Sequence, residues 1–185
     1  KMQEQFGQPV VVENKPGANG ALGTGFVARA KPDGYTIGIA PSSVLAINEW
    51  LYKDLPYDVE KDFQPLSLAG TTPNILIVHP SVPANTIAEF IALAKSKPGA
   101  VAYASMGAGS TGHLNGELFK ALTGADLKHV PYKGSGPALN DLLAGQVQGM
   151  FDNLPTAIGH VKAGKLKGLG ITSLQRSPMA PEIPT

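Results

Sequence analysis

The feature that most constrains the fold of this chain is a strand, a glycine loop and a helix that follow one another within residues 101–122. Val101–Ser105 is a short run with β-prone, alternating residues, which predicts a strand. The loop after it contains Gly107, Gly109 and Gly112, and glycine lets the backbone approach a bound molecule without a Cβ atom in the way. A strand, a tight loop and a helix in this order are typical of α/β proteins.

The helix after the loop is predicted from apolar residues at helical spacing, with Ser110 or Thr111 as its cap. The predicted buried stripe consists of Leu114, Leu118, Ala121 and Leu122. A helix N-terminus offers unpaired N–H groups and the positive end of a helix dipole, so it suits an anion. The candidate ligand-binding residues in this stretch are Gly107, Ala108, Gly109, Ser110, Thr111 and His113.

Two other interpretations of the same loop stay open. The spacing Gly107-x-Gly109-x-x-Gly112 matches the dinucleotide-binding fingerprint, and a dinucleotide-binding α/β oxidoreductase is therefore the alternative function. That function requires an acidic residue at the end of the next strand, whereas Asp126 precedes the predicted strand Leu127–Val130. The loop could also be a structural turn without a ligand.

Composition excludes several classes of protein. The formal charge is +1, from 15 basic and 14 acidic residues, which gives no basic surface for nucleic acid. No apolar run approaches the ~18 residues that a membrane-spanning helix needs, so direct membrane insertion is not expected. Cysteine is absent, which excludes disulfides and thiolate chemistry. A chain of 185 residues forms one domain or two small lobes, and we expect a monomer.

No catalytic set is expected. Ser110, His113 and Asp152 could form a hydrolase triad, but the Gly-x-Ser-x-Gly elbow is missing because Ala108 stands where its first glycine should be. No pair of the four histidines has metal-ligand spacing, so we expect neither a metal nor a cofactor. A binding protein needs only a crevice with convergent hydrogen bonds, and the chain is expected not to be an enzyme.

The residues before the central loop predict a βαβ unit. Its strands would be Val10–Val12 and Thr36–Ala40, with a helix from Leu22 between them. Ligands of open α/β sheets lie beyond the carboxyl ends of strands, where Ser42 and Ser43 follow the second strand. These two serines could line a crevice or could cap the turn after them.

A second run of strands and helices is predicted to open its strand ends onto the same crevice. A strand at Ile75–Val78 precedes a helix whose start is marked by the capping box Thr86-Ile-Ala-Glu89. Tyr132 follows the strand Leu127–Val130, and Ser135 could cap the next helix. Asp152 ends another strand, where it could bind a ligand amine or cap the helix that follows.

Several ordered motifs resemble one family along essentially the whole chain, the Bug-type extracytoplasmic solute receptors of tripartite tricarboxylate transporters. The motifs are Gly7-Gln-Pro-Val-Val-Val-Glu-Asn-Lys-Pro-Gly17, Lys31-Pro-Asp-Gly-Tyr35-Thr, Leu55-Pro-Tyr-Asp58, Lys61-Asp-Phe63, Gly107 to His113, Val130-Pro-Tyr-Lys-Gly134, Phe151-Asp-Asn153 and Ala163-Gly-Lys-Leu166. The resemblance implies an α/β fold like that of type II periplasmic binding proteins, with two lobes joined by crossover strands. It also implies a periplasmic protein that binds a small carboxylate, largely through backbone amides, and delivers it to a membrane permease.

The expected lobes have the following limits. Residues 1–70 form part of lobe 1, residues 71–173 form lobe 2, and residues 174–185 begin a segment that returns to lobe 1. Lys1–Gly7 looks like the end of a helix, so we expect the parent protein to contain a signal peptide and about one more strand and helix upstream. The chain is thus expected to be truncated at both ends.

Overall fold

The computed structural model describes all 185 residues. Four helices come first: α1 (Met2–Phe6), α2 (Ala21–Ala28), α3 (Ser42–Ala46) and α4 (Asn48–Leu51), with a single 3-10 turn (Ala18–Gly20) directly before α2. Strands and helices then alternate: β1 (Asn74–Val78), α5 (Ile87–Ser96), β2 (Val101–Ser105), α6 (Thr111–Thr123), β3 (Leu127–Pro131), α7 (Ser135–Leu143), β4 (Gly149–Asn153), α8 (Leu154–Lys162) and β5 (Lys167–Ile171). We call residues 1–73 the N-terminal region and residues 74–171 the sheet region. None of the helices is both long and apolar enough to cross a membrane.

The five strands form one mixed sheet in the order β3-β2-β4-β1-β5. β2 pairs in parallel with β3 and with β4, whereas β1 is antiparallel to both of its neighbours. Ser105 at the end of β2 pairs with Pro131 at the end of β3, so these two carboxyl ends are level. The loops after β2, β3 and β4 therefore lie along one edge of the sheet, as the sequence predicts.

Helices cover both faces of the sheet, since successive side chains of a strand point to opposite faces. Ile75 and Ile77 of β1 pack in a cluster with residues of α7 and α8. Leu76 and Val78 pack on the other face with residues of α5 and with Tyr103 of β2. The predicted capping box is confirmed, because the Thr86 Oγ1 accepts a hydrogen bond from the Glu89 N–H.

The predicted buried stripe of α6 is wrong. Leu118 and Leu122 are 57% and 77% exposed, and the buried residues of this helix are Gly112 and Gly116. A Cβ atom at Gly116 would overlap the ring of Tyr103. The glycine face therefore lets α6 approach the sheet more closely than a leucine face could, and the leucines point away.

The βαβ unit predicted for the N-terminal region does not form. The helix is present as α2, but Val10–Val12 and Thr36–Ala40 are extended segments without strand pairing. Val12 is 81% exposed and Ile39 is 90% exposed. An apolar β-prone segment becomes a strand only where a neighbour accepts its backbone hydrogen bonds, and neither segment has such a neighbour here.

The N-terminal region has a small core of its own. Ala21, Val44 and Tyr57 are buried together, and the ring of Phe63 lies edge-on to that of Tyr57 with 5.8 Å between the ring centroids. The Tyr57 hydroxyl donates to the Val44 carbonyl oxygen at 2.8 Å. This core holds α2, α3 and the segment after α4 together without a sheet. The limits of the two lobes, at residues 70 and 173, remain a prediction.

Candidate functional site

A crevice of about 440 Å³ lies between the N-terminal region and the carboxyl edge of the sheet. Its lining consists of Pro16, Gly17, Ala18, Asn19, Gly20, Pro41, Val44 and Tyr52 on one side and Met106, Gly107, Ala108, Pro131, Tyr132, Lys133 and Gly134 on the other. A second hollow of about 670 Å³ has no hydrophobic residue in its lining, which comes only from residues 1–9. The crevice between the two regions is therefore the candidate site.

Four helices begin at this crevice. Each of α2, α3, α6 and α7 starts within three residues of a residue that lines the crevice. The first N–H groups of a helix have no partner within the helix, and the aligned peptide dipoles place partial positive charge there. All four helices have their N-terminal end near the crevice, and the partial positive charge of these ends favours a negatively charged guest.

Free backbone donors line both sides of the crevice. The N–H groups of Ala18 and Asn19 on one side, and of Ala108, Lys133 and Gly134 on the other, make no hydrogen bond within the protein. Lys133 is also the one charged residue in the lining, which contains no aspartate or glutamate. The crevice thus offers donors and positive charge without a competing carboxylate.

Residues 107–110, which we call the α6 loop, are held by side chains of their own segment. The Ser110 Oγ donates to the Gly107 carbonyl oxygen at 2.7 Å and accepts from the His113 backbone N–H at 3.3 Å. Ser110, and not Thr111, is therefore the cap of α6. The Gly109 N–H donates to the His113 Nδ1 at 3.1 Å, so this N–H is already engaged, and the free donor of the loop is that of Ala108.

Two stacked histidines lie behind the α6 loop. The rings of His113 and His129 are 4.1 Å apart between centroids and nearly parallel, and the His129 Nε2 lies 2.7 Å from the Ser105 Oγ. Burial, aided by the charge of His113, lowers the pKa of His129 to about 4. His129 is therefore neutral at pH 7. The Ser105 Oγ accepts from the Gly107 N–H at 3.2 Å, which connects this pair to the loop.

Tyr132 lines the crevice, but its hydroxyl points to α7, where it donates to the Asp141 Oδ2 at 2.7 Å. Burial and the Asp141 carboxylate raise the pKa of Tyr132 to about 12. The hydroxyl therefore stays protonated, and its proton is directed away from the crevice. Lys133, the next residue, is exposed and extends the positive lining.

Asp152 has no exposed surface, and both of its carboxylate oxygens lie within 2.9 Å of the Ser135 Oγ. Neither α7 nor α8 has a side-chain cap, so the predictions that Ser135 caps α7 and that Asp152 caps α8 are wrong. The two side chains satisfy each other instead. Burial raises the pKa of Asp152, and the Ser135 hydrogen bond opposes that shift.

The structure brings most of the candidate residues together at the crevice. Gly107, Ala108 and Tyr132 line it, Gly109 and Ser110 are buried behind the lining, and Thr111 and His113 are half-buried in the first turn of α6. At the start of α3, Ser42 is exposed and Ser43 is buried, and neither caps that helix through its side chain. Ligand contact by any of these residues remains a prediction.

Ser110, His113 and Asp152 form no hydrogen bond between side chains, so the hydrolase triad is absent.

The loop on the other side of the crevice is not among the predicted site residues. It consists of residues 17–20, which we call the α2 loop, and Pro16-Gly17 and Asn19-Gly20 are strong turn signals. Lys133 was missed as well, because an exposed lysine after a strand has no distinctive pattern. The turn signals could have pointed to the α2 loop, since a helix follows it directly as in the α6 loop.

Comparison with known proteins agrees with the fold. The structure of the periplasmic binding protein BugD is 38% identical with a TM-score of 0.93, and the match covers all of this chain and 61% of that one. The structure of Rhodopseudomonas palustris Rpa4515 with adipate is also 38% identical, with a TM-score of 0.96, and 62% of that chain is covered. The fold is thus that of the Bug-type periplasmic binding proteins.

The family itself follows from the whole-chain match. Residues 1–185 match the tripartite tricarboxylate transporter family receptor, and the chain belongs to this family. Protein BugT of Bordetella pertussis is 42% identical over 185 residues, which is all of this chain and 57% of BugT. The chain therefore spans little more than half the length of this relative. The resemblance drawn from the sequence motifs is confirmed.

Proposed function

We propose that the protein is a periplasmic solute-binding protein that captures a small carboxylate in the crevice and delivers it to the permease of a tripartite tricarboxylate transporter. The observation that carries this proposal is the set of four helix N-termini around a crevice whose one charged residue is Lys133. A carboxylate accepts hydrogen bonds only, and free N–H groups on both sides of the crevice supply the matching donors.

Support for the class of solute also comes from a relative, because Rpa4515 was solved with adipate. A dicarboxylate can be held at both ends, with one carboxylate near the α2 loop and the other near the α6 loop and Lys133 on the opposite side of the crevice. Binding of this kind requires no bond-making residue, and we propose that the protein is not an enzyme.

Titration calorimetry with the full-length protein tests the proposal, with adipate, malate and NAD as probes. We expect binding of at least one dicarboxylate and none of NAD. Lys133→Gln should weaken dicarboxylate binding by roughly tenfold, since it removes a charge-assisted contact worth ~1.5 kcal/mol. Lys128→Gln is the matched control, because Lys128 is an exposed lysine of β3 outside the lining and should bind like wild type.

Two results would contradict this function. Binding of NAD without any carboxylate would favour the dinucleotide-binding alternative for the α6 loop. Equal loss of affinity in Lys133→Gln and Lys128→Gln would show that only the total charge matters. Delivery to a permease is tested separately, by carboxylate uptake into membrane vesicles that contain the transporter, with and without the added protein.

A further inference from the structure

The α2 loop has a backbone conformation that its sequence does not favour. All four residues have positive φ, with Ala18 at 45° and Asn19 at 48°, and these are the only non-glycine residues of the chain in this region. A Cβ atom makes that conformation costly, and such residues persist only where surrounding contacts hold them. Both residues line the crevice and have free N–H groups, so the unusual conformation lies at the candidate site.

Contacts within the loop are too few to hold it. One backbone bond joins the Gly20 N–H to the Gly17 carbonyl oxygen at 3.0 Å, and the Ala21 N–H bonds to the Ala18 carbonyl oxygen. No side chain caps α2. The α6 loop, by contrast, has the Ser110 cap. The hold on the α2 loop must therefore come from elsewhere in the chain.

Asn48, the first residue of α4, provides that hold. Its side chain has no exposed surface, and its Oδ1 accepts from the Asn19 Nδ2 at 2.9 Å. Its Nδ2 donates to the Asn19 carbonyl oxygen at 3.3 Å and to the Tyr57 hydroxyl at 3.2 Å. Both polar groups of the Asn48 side-chain amide are thus hydrogen-bonded, and they bind the side chain and the backbone of Asn19 at the same time.

The same pair of amides lies where the two sides of the crevice meet. A Cβ atom at Gly109 of the α6 loop would be 3.4 Å from the Asn19 Nδ2 and 3.9 Å from the Asn48 Oδ1. Tyr52, which follows α4, also reaches across, and its hydroxyl donates to the Ala108 carbonyl oxygen at 3.4 Å. The position of Asn19 therefore affects both loops.

We propose that Asn48 is a positioning residue for solute binding, which holds the α2 loop in its positive-φ conformation and so keeps the N–H groups of Ala18 and Asn19 available at the crevice. This inference rests on the proposed function, because it gives those two N–H groups the role of carboxylate donors. Asn48 itself does not touch the solute, since it is fully buried behind the loop.

Hydrogen exchange in the full-length protein without solute tests the hold directly. In Asn48→Ala the amides of Gly20 and Ala21, which close the loop, should exchange at least about tenfold faster than in wild type. The amides of β2 and β4 should be unchanged, because those strands lie in the sheet region. Asn140→Ala is the matched control, an exposed asparagine of α7 that should leave the α2 loop unaffected. Unchanged exchange at Gly20 and Ala21 in Asn48→Ala would overturn the proposal.

Calorimetry with adipate and malate tests the consequence. Asn48→Ala and Asn19→Ala should each lower affinity by roughly tenfold, and the double variant should be no worse than either, because both break one unit. Losses of affinity that multiply in the double variant would overturn the coupling between Asn48 and Asn19.

If Asn48→Ala does not fold, Asn19→Ala alone must show faster exchange at Gly20 and Ala21 and weaker binding, or the proposal fails. If wild type binds neither probe, the proposed function fails for this solute class, while exchange still decides whether Asn48 holds the loop.

Discussion

The two loops that face each other across the crevice have similar compositions and different supports. Each is rich in glycine and small residues and leads into a helix, but the α6 loop is fixed by Ser110 and His113 from its own segment. The α2 loop depends on Asn48, which lies 29 residues beyond Asn19 in the sequence. The side-chain hydrogen bonds that fix the α6 loop lie within residues 105–113, whereas those of the α2 loop connect it through Asn48 to Tyr57. Similar loop sequences therefore do not imply equal dependence on the rest of the fold.

The largest effect that we expect comes from Gly109→Val, which acts where the two loops meet. Gly109 has φ of 81°, and its Cβ atom would lie 2.6 Å from the Leu51 Cδ1. A β-branched residue is strained there and would push the loops apart. Affinity for the bound dicarboxylate should fall by at least about a hundredfold in calorimetry. Gly159→Ala is the control, because no atom lies within 4 Å of its added Cβ. A folded Gly109→Val protein with unchanged affinity would show that the α6 loop is only a structural turn.

A smaller effect is expected from Ser110→Ala, which removes the local support of the α6 loop. The variant loses the bonds to the Gly107 carbonyl oxygen and the His113 N–H, and loss of a helix cap costs ~1 kcal/mol of unfolding free energy. Thr111→Ala should cost less than ~0.5 kcal/mol, since Thr111 is not the cap. Urea denaturation of both variants measures the difference. Equal destabilisation would mean that the two hydroxyls share the capping role.

A further effect concerns pH and should distinguish the two loops. The folded pKa of His129 is about 4, below its ordinary value of 6.5, so at intermediate pH the unfolded chain binds a proton that the folded chain does not. The free energy of unfolding should therefore decrease as the pH falls from about 6.5 to about 4. Asn19 and Asn48 do not titrate in that range. The loss of unfolding free energy at acid pH should therefore come from the histidine behind the α6 loop and not from the contacts of the α2 loop.

Urea denaturation between pH 4.5 and 7.5 checks this expectation. The pH dependence should be weaker in His129→Asn than in wild type. Identical pH profiles in the two proteins would show that His129 does not contribute.

Local patterns predicted the sheet region well. The strand, loop and helix around Gly107 and the capping box at Thr86 each follow from spacing within one segment. Predictions failed where a partner far away in the sequence decides. Val10–Val12 lacks a strand neighbour, and α6 buries Gly116 because the ring of Tyr103 lies against it. The sequence could mark Asn19-Gly20 as a turn, but no local rule connects it to Asn48.

Distant partners also decide which residues of the candidate site could be predicted from the sequence. Seven of the ten predicted site residues follow β2 or β3, where the order of strands and loops already places them at one edge. The role of Asp152 was misjudged because its partner, Ser135, comes from a different loop, and only the folded chain brings the two within 2.9 Å. Binding by the predicted residues awaits the variants described above.

The free backbone donors of the crevice have a consequence for how such a site can evolve. Ala18, Asn19, Ala108, Lys133 and Gly134 offer N–H groups that belong to the main chain. Every amino acid except proline retains that group, so substitution at Ala108, which is not among the residues of positive φ, alters the depth and shape of the crevice while leaving its donor intact. Asn19 is different, because its side chain pairs with Asn48 and its substitution disturbs the α2 loop. Gene duplicates could therefore diverge in the size of solute they accept and still inherit the preference for an anion.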